Sequence, residues 1–449
     1  MAFDSLADEY LGSTRMAALF DARATIAAML EFEAALAAAL AELGLIPPQA
    51  AAVIASCCAA NALDIDGLKQ ALVHSGSAVV PLVEQLTAQV GARDADAARY
   101  VHWGSSTQDV TDSALMVQAR AGLTLIAATL AAASTHLRAV VVSERHTPMV
   151  ARTLAQHAGP SLFGYKAALW LDALLDAHAA LVAQSRHLPL QFGGATGTLA
   201  AYGMHGRALA EIIAHRLALR PTRPWHTERS VIRRLAAELA NTGQSVGKIG
   251  HDLLLLQQSE VEEVREGGAG RGGSSALPHK RNPVTAIAIV AGAGRVPGQL
   301  ATVFGAYAHD HERAAGAWHA EWQALRELFV TVASMCEHLR AALDGLQVDR
   351  AALARHLAQS GGRSMAEAVT MALAPQLGRS AAQSVVKRAL ARGGDFAQAL
   401  AAEPEVNAVL SAAELARALD PAHFVGAAPA FIDDILARCA RADLAEDPP

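Results

Sequence analysis

Aromatic residues make up only 4% of this 449-residue chain and charged residues only 18%, against 52% hydrophobic. So few aromatics argue against a large sandwich or barrel, which draws on Val, Ile, Thr and aromatic side chains. Ala and Leu dominate instead, and these lose least on entering a helix. Low charge with a high apolar fraction excludes general disorder. Cysteine is scarce: Cys57, Cys58, Cys336 and Cys439 show no CxxC spacing, and an adjacent pair is a poor start for a disulfide framework. A reducing, cytoplasmic setting is therefore expected. Met1-Ala2-Phe3-Asp4 lacks the basic-then-apolar order of a signal peptide. No uninterrupted apolar run reaches the ~18 residues of a membrane span; the one after Pro283 meets Arg295. The net charge is −6 and no polybasic stretch occurs, so neither a nucleic-acid nor a membrane partner is expected. A small anionic substrate stays open, because a pocket can be locally positive on an acidic protein.

What is present is helical periodicity, punctuated by Gly and Pro. It predicts an all-α fold in three parts: a helical domain over 1–112, a bundle of long helices over 113–357, and a small helical domain over 358–449. Expected helices include Arg23 to Leu43, stopped by Gly44 and Pro47-Pro48, and a long one capped by Asp109 or Asp112 and running towards Val142. Further helices are expected from Pro160 to Gln184, from Val231 to Val264 capped by Ser230, after Pro283, and from Trp318 to Leu343. The Leu253–Leu256 run is apolar all round, which predicts burial and packing against other subunits. No repeat of 20–50 residues is evident.

Four segments carry groups suited to chemistry. Gly272-Gly273-Ser274-Ser275-Ala276-Leu277-Pro278-His279-Lys280-Arg281-Asn282-Pro283 brings hydroxyls, two cations and an amide to a helix start. Backbone N–H groups there, with Lys280, can receive an anion; the same residues also fit a solvated basic turn. His102-Trp103-Gly104-Ser105-Ser106-Thr107-Gln108-Asp109 clusters hydroxyls in a turn, able to bind carboxylate oxygens or simply to cap a helix. His157 alone fits a structural histidine as well as an acid or base. His309-Asp310-His311-Glu312-Arg313 has metal-ligand types, but an i,i+2 spacing aligns two rings only on a strand, and the neighbours look helical; no metal is expected.

The first segment resembles the Gly-Ser-Ser-x-Met-Pro-x-Lys-x-Asn signature of the fumarase/aspartase superfamily, with Leu277 in place of Met. Within it the chain is similar to bacterial lactone-forming cycloisomerases, relatives of adenylosuccinate lyase. The likeness runs through Tyr100 to Gly104, Gln108-Asp109, Arg152 to Ala158, Gln191 to Ala195, Pro224 to Thr227, His311 to Arg313, Trp318 to Trp322 and Leu419 to His423.

The resemblance implies a three-part helical fold and a homotetramer whose active sites are shared between subunits. It implies Ser274 as the general base of the eliminating direction and His157 as the histidine that serves the lyases as general acid. The implied substrate-binding residues are His102, Ser106, Thr107, Gln156, Lys280, Asn282 and Arg313, with Trp318 and His319 lining the same pocket. A serine base needs backbone N–H groups and a cation to stabilise its alkoxide. Relatives usually carry Thr-Ser where this chain has Ser106-Thr107, which keeps both hydroxyls and moves the methyl group. Lyases releasing an amine support their histidine with a Glu seven residues after the signature Lys; here that position is Ile287. A carboxylate leaving group, whose conjugate acid ordinarily titrates near about 4, needs no protonation as it departs. The implied activity is therefore interconversion of 3-carboxy-cis,cis-muconate and 4-carboxymuconolactone, in aromatic catabolism through protocatechuate. It requires neither metal nor organic cofactor, since the tricarboxylate substrate supplies its own nucleophile. The rivals are a superfamily lyase releasing fumarate from a substituted succinate, and a helical scaffold without activity.

Overall fold

The computed structural model describes residues 5–268 and 270–445, with side chains described as far as Arg441; Met1–Asp4, considered above for a signal peptide, lie outside the described residues. The fold is all-α. Its long helices are Ala22–Glu42, Thr107–Ser143, Phe163–Arg186, Ser230–Leu256, Val284–Gly305 and Ala317–Leu343. Among the described residues, strands are confined to two short antiparallel pairs, Pro148–Thr153 with Gln156–Leu162 and Val264–Arg265 with Gln347–Val348.

The chain forms two compact units, each assembled from three stretches. The first comprises Met1–Leu130, Ala177–Gly247 and Ala288–Glu337. Its Ala22–Glu42 helix starts at Asp21, whose carboxylate accepts from the Ala24 N–H at 2.7 Å. That helix buries Ile26, Met29, Leu30, Glu33, Leu36 and Leu40 along one helical face. The second unit comprises Ala131–Asp176, Lys248–Ile287 and His338–Pro449. Its C-terminal helices close over a core of Val369, Leu373, Val385, Phe396, Leu400 and Val406.

Several expectations are corrected. Pro160 does not open a helix: it pairs opposite Val150 in a hairpin, and the helix starts only at Phe163. In a two-stranded sheet both strands are edges, where a residue without an N–H is tolerated. The helix from Ser230 stops at Leu256 rather than Val264. Leu253 and Leu256 are buried, but Leu255 is 43% exposed on the chain itself. Neither Asp109 nor Asp112 caps the long helix, which begins at Thr107. The carboxylate of Asp109 instead reaches back to the N–H of Ser106 at 3.0 Å, the return half of a capping box.

Three stretches are long and apolar enough, by length and composition, to cross a membrane: Thr14–Glu42, Thr107–Ser143 and Val284–Gly305. Counting unbroken runs misses them, because isolated charges such as Glu33 and Arg120 interrupt a run without lowering its mean hydropathy much. Burial within the chain covers 61%, 50% and 33% of their most apolar windows. Most of the last window is therefore not fully buried within the chain, and Ile287 and Phe304 are exposed.

Candidate active site

In the first unit the 102–109 segment is a locked turn. His102 has a φ of 53° and Gly104 a φ of 73°. A Cβ at Gly104 would stand 2.8 Å from the Tyr202 ring, so only glycine lets the turn lie on that ring. The Tyr202 hydroxyl donates to the Trp103 carbonyl at 2.7 Å. Asp109, fully buried, joins this turn to the Gln191–Ala195 turn. It accepts from the Gly193 and Gly194 N–H groups at 2.8 and 2.9 Å, from the Ser106 hydroxyl at 2.9 Å, and lies 3.2 Å from His226 Nε2. Arg313 donates to the Gly194 and Ala195 carbonyls at 3.2 and 3.1 Å and to Ser106 Oγ at 3.4 Å. The structure therefore brings Ser106, Thr107 and Arg313 to one place. His102 is held at its edge, with Nδ1 2.6 Å from the buried Glu33 carboxylate.

Trp318, expected to line a pocket, is buried and works in the framework. Its indole N–H donates to Asp112 at 3.2 Å. Arg229, 1% exposed, donates to Asp112 at 2.6 and 3.1 Å and to Glu321 at 2.6 Å, and lies 4.7 Å over the Trp225 ring. The Pro224–Thr227 and Trp318–Trp322 strings thus build a desolvated cation between two carboxylates. His319 remains exposed beside Trp322, ring to ring at 4.6 Å. His309 lies 3.2 Å from Glu321 and 3.0 Å from the Ala306 carbonyl oxygen.

In the second unit His157 and Gln156 are exposed on the hairpin. The hairpin turns at Leu154 and Ala155, both left-handed at φ 50° and 62°, which is uncommon for residues with a Cβ. Arg152 is the cross-strand partner of His157. The buried Glu263 takes Arg152 through two hydrogen bonds, at 2.8 and 2.6 Å, and lies 2.7 Å from Nδ1 of His356. The His356 ring lies 6.3 Å from that of His157. Partial burial and the charges of Arg152 and His356 hold the His157 imidazole below its ordinary range; Glu263 opposes them without prevailing.

The signature segment is a pinched loop in the same unit. Its neck is closed by the Asn282 N–H donating to the Gly272 carbonyl at 2.8 Å and by a bridge between Gly273 and Arg281. Within it, Ser274 Oγ accepts from the N–H groups of Leu277 and Ala276 at 3.1 and 3.4 Å, and Lys280 is exposed. The expected anion seat at the following helix start is already taken. Glu266 accepts from the Thr285 and Ala286 N–H groups, both at 3.2 Å, and from the Thr285 hydroxyl at 2.5 Å. The donors left to meet an anion are those of the loop itself.

Sequence reasoning missed Glu33, Glu263, His356 and Glu266. Glu33 left a signal: it is a lone carboxylate at helical spacing between Met29, Leu30 and Leu36. A cavity of about 610 Å³ in the second unit includes none of the expected site residues. Its cations are already paired, Arg350 with Glu144 and Arg145 with Asp433.

The Lyase family model matches residues 1–298, and that of the adenylosuccinate lyase C-terminus matches residues 362–435. The chain belongs to this lyase family, the fumarase/aspartase superfamily. It is 44% identical over 442 residues to 3-carboxy-cis,cis-muconate cycloisomerase of Bradyrhizobium diazoefficiens, covering 97% of this chain and 98% of that protein. It is 41% identical over 436 residues to nitrosuccinate lyase of Streptomyces davaonensis, covering 94% and 92%. Among solved structures, the 3-carboxy-cis,cis-muconate lactonizing enzyme from Pseudomonas putida superposes with a TM-score of 0.90 at 40% identity, covering 97% of this chain and 99% of that one.

Proposed function

We propose that this chain is an intramolecular lyase interconverting 3-carboxy-cis,cis-muconate and 4-carboxymuconolactone. End-to-end similarity to cycloisomerases supports the class. The observation that carries the chemistry is the setting of His157. Its cross-strand neighbour is a cation, the nearby carboxylate of Glu263 is engaged by Arg152 and His356, and Ile287 stands where amine-releasing lyases carry a supporting Glu. A histidine so placed is a poor proton source for a departing amine. It is adequate beside a carboxylate, which leaves as a stable anion.

In the ring-closing direction one carboxylate oxygen attacks an alkene carbon and forms the C–O bond of a five-membered lactone. The π electrons move to the neighbouring carbon and its carboxylate. Lys280, Asn282 and the hydroxyls of Ser106 and Thr107 hold that charge, and His102 and Arg313 bind further carboxylates. A proton reaches carbon from Ser274 or a group linked to it, while His157 and Gln156 orient the attacking carboxylate. The clusters come from neighbouring copies in a homotetramer; the exposed Leu255, Ile287 and Phe304 on long helices support that assembly. We place the enzyme in the cytoplasm, in protocatechuate catabolism; all four cysteines remain thiols, which fits a reducing compartment.

Similarity to nitrosuccinate lyase favours one second reading, release of fumarate from a succinate bearing another stable-anion leaving group. Ultraviolet absorbance separates the two when wild type and Ser274→Ala are given each substrate. Turnover of carboxymuconate, with a mutant loss well over ~100-fold, is expected, the scale of a lost general acid/base. Near-normal turnover by the mutant removes Ser274 from its role. Fumarate release with no action on carboxymuconate transfers the site to the second reading.

A further inference from the structure

We infer that Glu33, buried beneath the 102–109 turn, is a positioning residue that keeps His102 a cation for a carboxylate of the substrate. The inference rests on the reading of His102 as a substrate-binding residue. Glu33 is 1% exposed, on the core face of the Ala22–Glu42 helix. Among the described residues its one hydrogen-bond partner is His102, through Nδ1 and Oε1 at 2.6 Å. The other oxygen, Oε2, is buried with no partner. A lone carboxylate in that position is costly unless a positive charge stands beside it.

The groups packed around the pair leave His102 as the source of that charge. Burial, Glu33 and Cys57 push the Cys58 thiol up to about 12, so it stays neutral. Burial, Asp109 and Glu33 raise the Tyr202 phenol, which stays neutral too. Asp109 has its own donors in Gly193, Gly194 and Ser106 and its own histidine in His226. Nη2 of Arg313 is spent on Ser106 Oγ and the Gly194 and Ala195 carbonyls rather than on Glu33. On His102 itself burial acts to lower basicity, but the hydrogen bond and charge of Glu33, with the charge of Asp109, outweigh it and the net displacement is upward.

The geometry also fixes which nitrogen does what. With Nδ1–H donated to Glu33, the second donor of the imidazolium is Nε2–H. The left-handed backbone at His102 and the Tyr202 hydrogen bond to the next carbonyl fix the turn that carries the ring. Glu33 touches no substrate in this arrangement and acts only through His102.

The test is a titration of the full-length enzyme carrying isotope-labelled histidine, followed by NMR, with His102 assigned by His102→Gln. In the wild type His102 is expected to titrate above the ordinary value of about 6.5. Tricarballylate, an inert tricarboxylate, is expected to shift its resonance. In Glu33→Gln the titration falls to the ordinary value or below. The affinity for tricarballylate and the KM for carboxymuconate then worsen by about tenfold or more at pH 7.5, the scale of a lost charge-assisted hydrogen bond. The alkaline limb of kcat/KM moves to lower pH, and Glu33→Asp restores part of the loss. A wild-type His102 titrating at or below the ordinary value overturns the inference, even if Glu33→Gln fails to fold. So does tricarballylate binding that ignores Glu33, or that leaves the His102 resonance unmoved. If carboxymuconate is not turned over while the titration and the tricarballylate dependence appear as expected, the proposed reaction fails and the role of Glu33 stands.

Discussion

Arg152 and Glu263 face each other in a two-point contact, Nη1 to Oε2 at 2.8 Å and Nη2 to Oε1 at 2.6 Å. Because Arg152 is also the cross-strand partner of His157, one buried carboxylate fixes the strand pair that carries the proposed catalytic histidine. The same carboxylate meets His356, so it ties the hairpin to the helix Arg350–Gln359. Glu263→Gln keeps the shape but leaves Arg152 facing a neutral amide. Breaking a buried pair costs about 3–5 kcal/mol, and the partial exposure of Arg152 places this one at or below the lower end. Urea unfolding together with turnover checks this: a lower midpoint with a large activity loss is expected, and an unchanged midpoint would show that the contact carries no stability.

His157 gives a pH prediction whose sign follows from its neighbours. Burial, Arg152 and His356 lower its folded value, against Glu263. The unfolded chain, at about 6.5, therefore takes up the proton first as pH falls. This histidine's contribution to stability is full above the unfolded value and declines as pH drops below it. A histidine NMR titration should place His157 below its ordinary value of about 6.5. Glu263→Gln should push this titration lower still, since it removes the one influence acting upward. An upward movement in that variant would contradict the electrostatic account.

The neck of the signature loop supplies a steric prediction. Gly272 has a φ of 73°, and a Cβ there would lie 2.0 Å from the carbonyl oxygen of Asn282. Gly272→Ala must therefore open the neck that sets Ser274, Lys280 and Asn282 in one loop. Turnover is expected to fall by ~100-fold or more, the scale of lost general acid/base geometry. Far-ultraviolet circular dichroism should be nearly unchanged, because the loop contributes no helix. Full activity in Gly272→Ala would mean that the neck tolerates opening.

The parts of the molecule legible in sequence share one physical trait: their determinants are local. Helix periodicity, the stop at Gly44 and Pro47-Pro48, and the signature string can each be read within a dozen residues. The hairpin is not legible, because Leu154 and Ala155 turn it without the Gly or Asn that such left-handed positions favour. The roles of Pro224–Thr227 and Trp318–Trp322 escape a local reading because they are settled across the chain. Arg229 finds Asp112 from 117 residues away and Glu321 from 92. Glu266 likewise takes the helix start that the sequence offers as an anion seat, from 19 residues upstream.

Asp109 offers the sharpest separation of framework from chemistry. Its two oxygens gather the N–H groups of Ser106, Gly193 and Gly194, and so join the turn that bears Ser106 to the turn whose carbonyls hold Arg313. Asp109→Asn replaces one acceptor oxygen with an amide NH2 group, which meets backbone donors with donors. Each backbone N–H left unsatisfied costs about 1–3 kcal/mol, so the two turns should separate before the helices do. Ser106 and Arg313 would then lose their common position, while Ser274, Lys280 and Asn282, which sit in the other unit, would keep theirs. The expected result is a KM for the tricarboxylate raised by about tenfold or more, with a proportionally smaller fall in kcat, because binding rather than proton transfer has been disturbed. Steady-state kinetics at saturating and subsaturating substrate resolve the two effects. A fall confined to kcat would place Asp109 in the proton-transfer machinery and remove it from the framework.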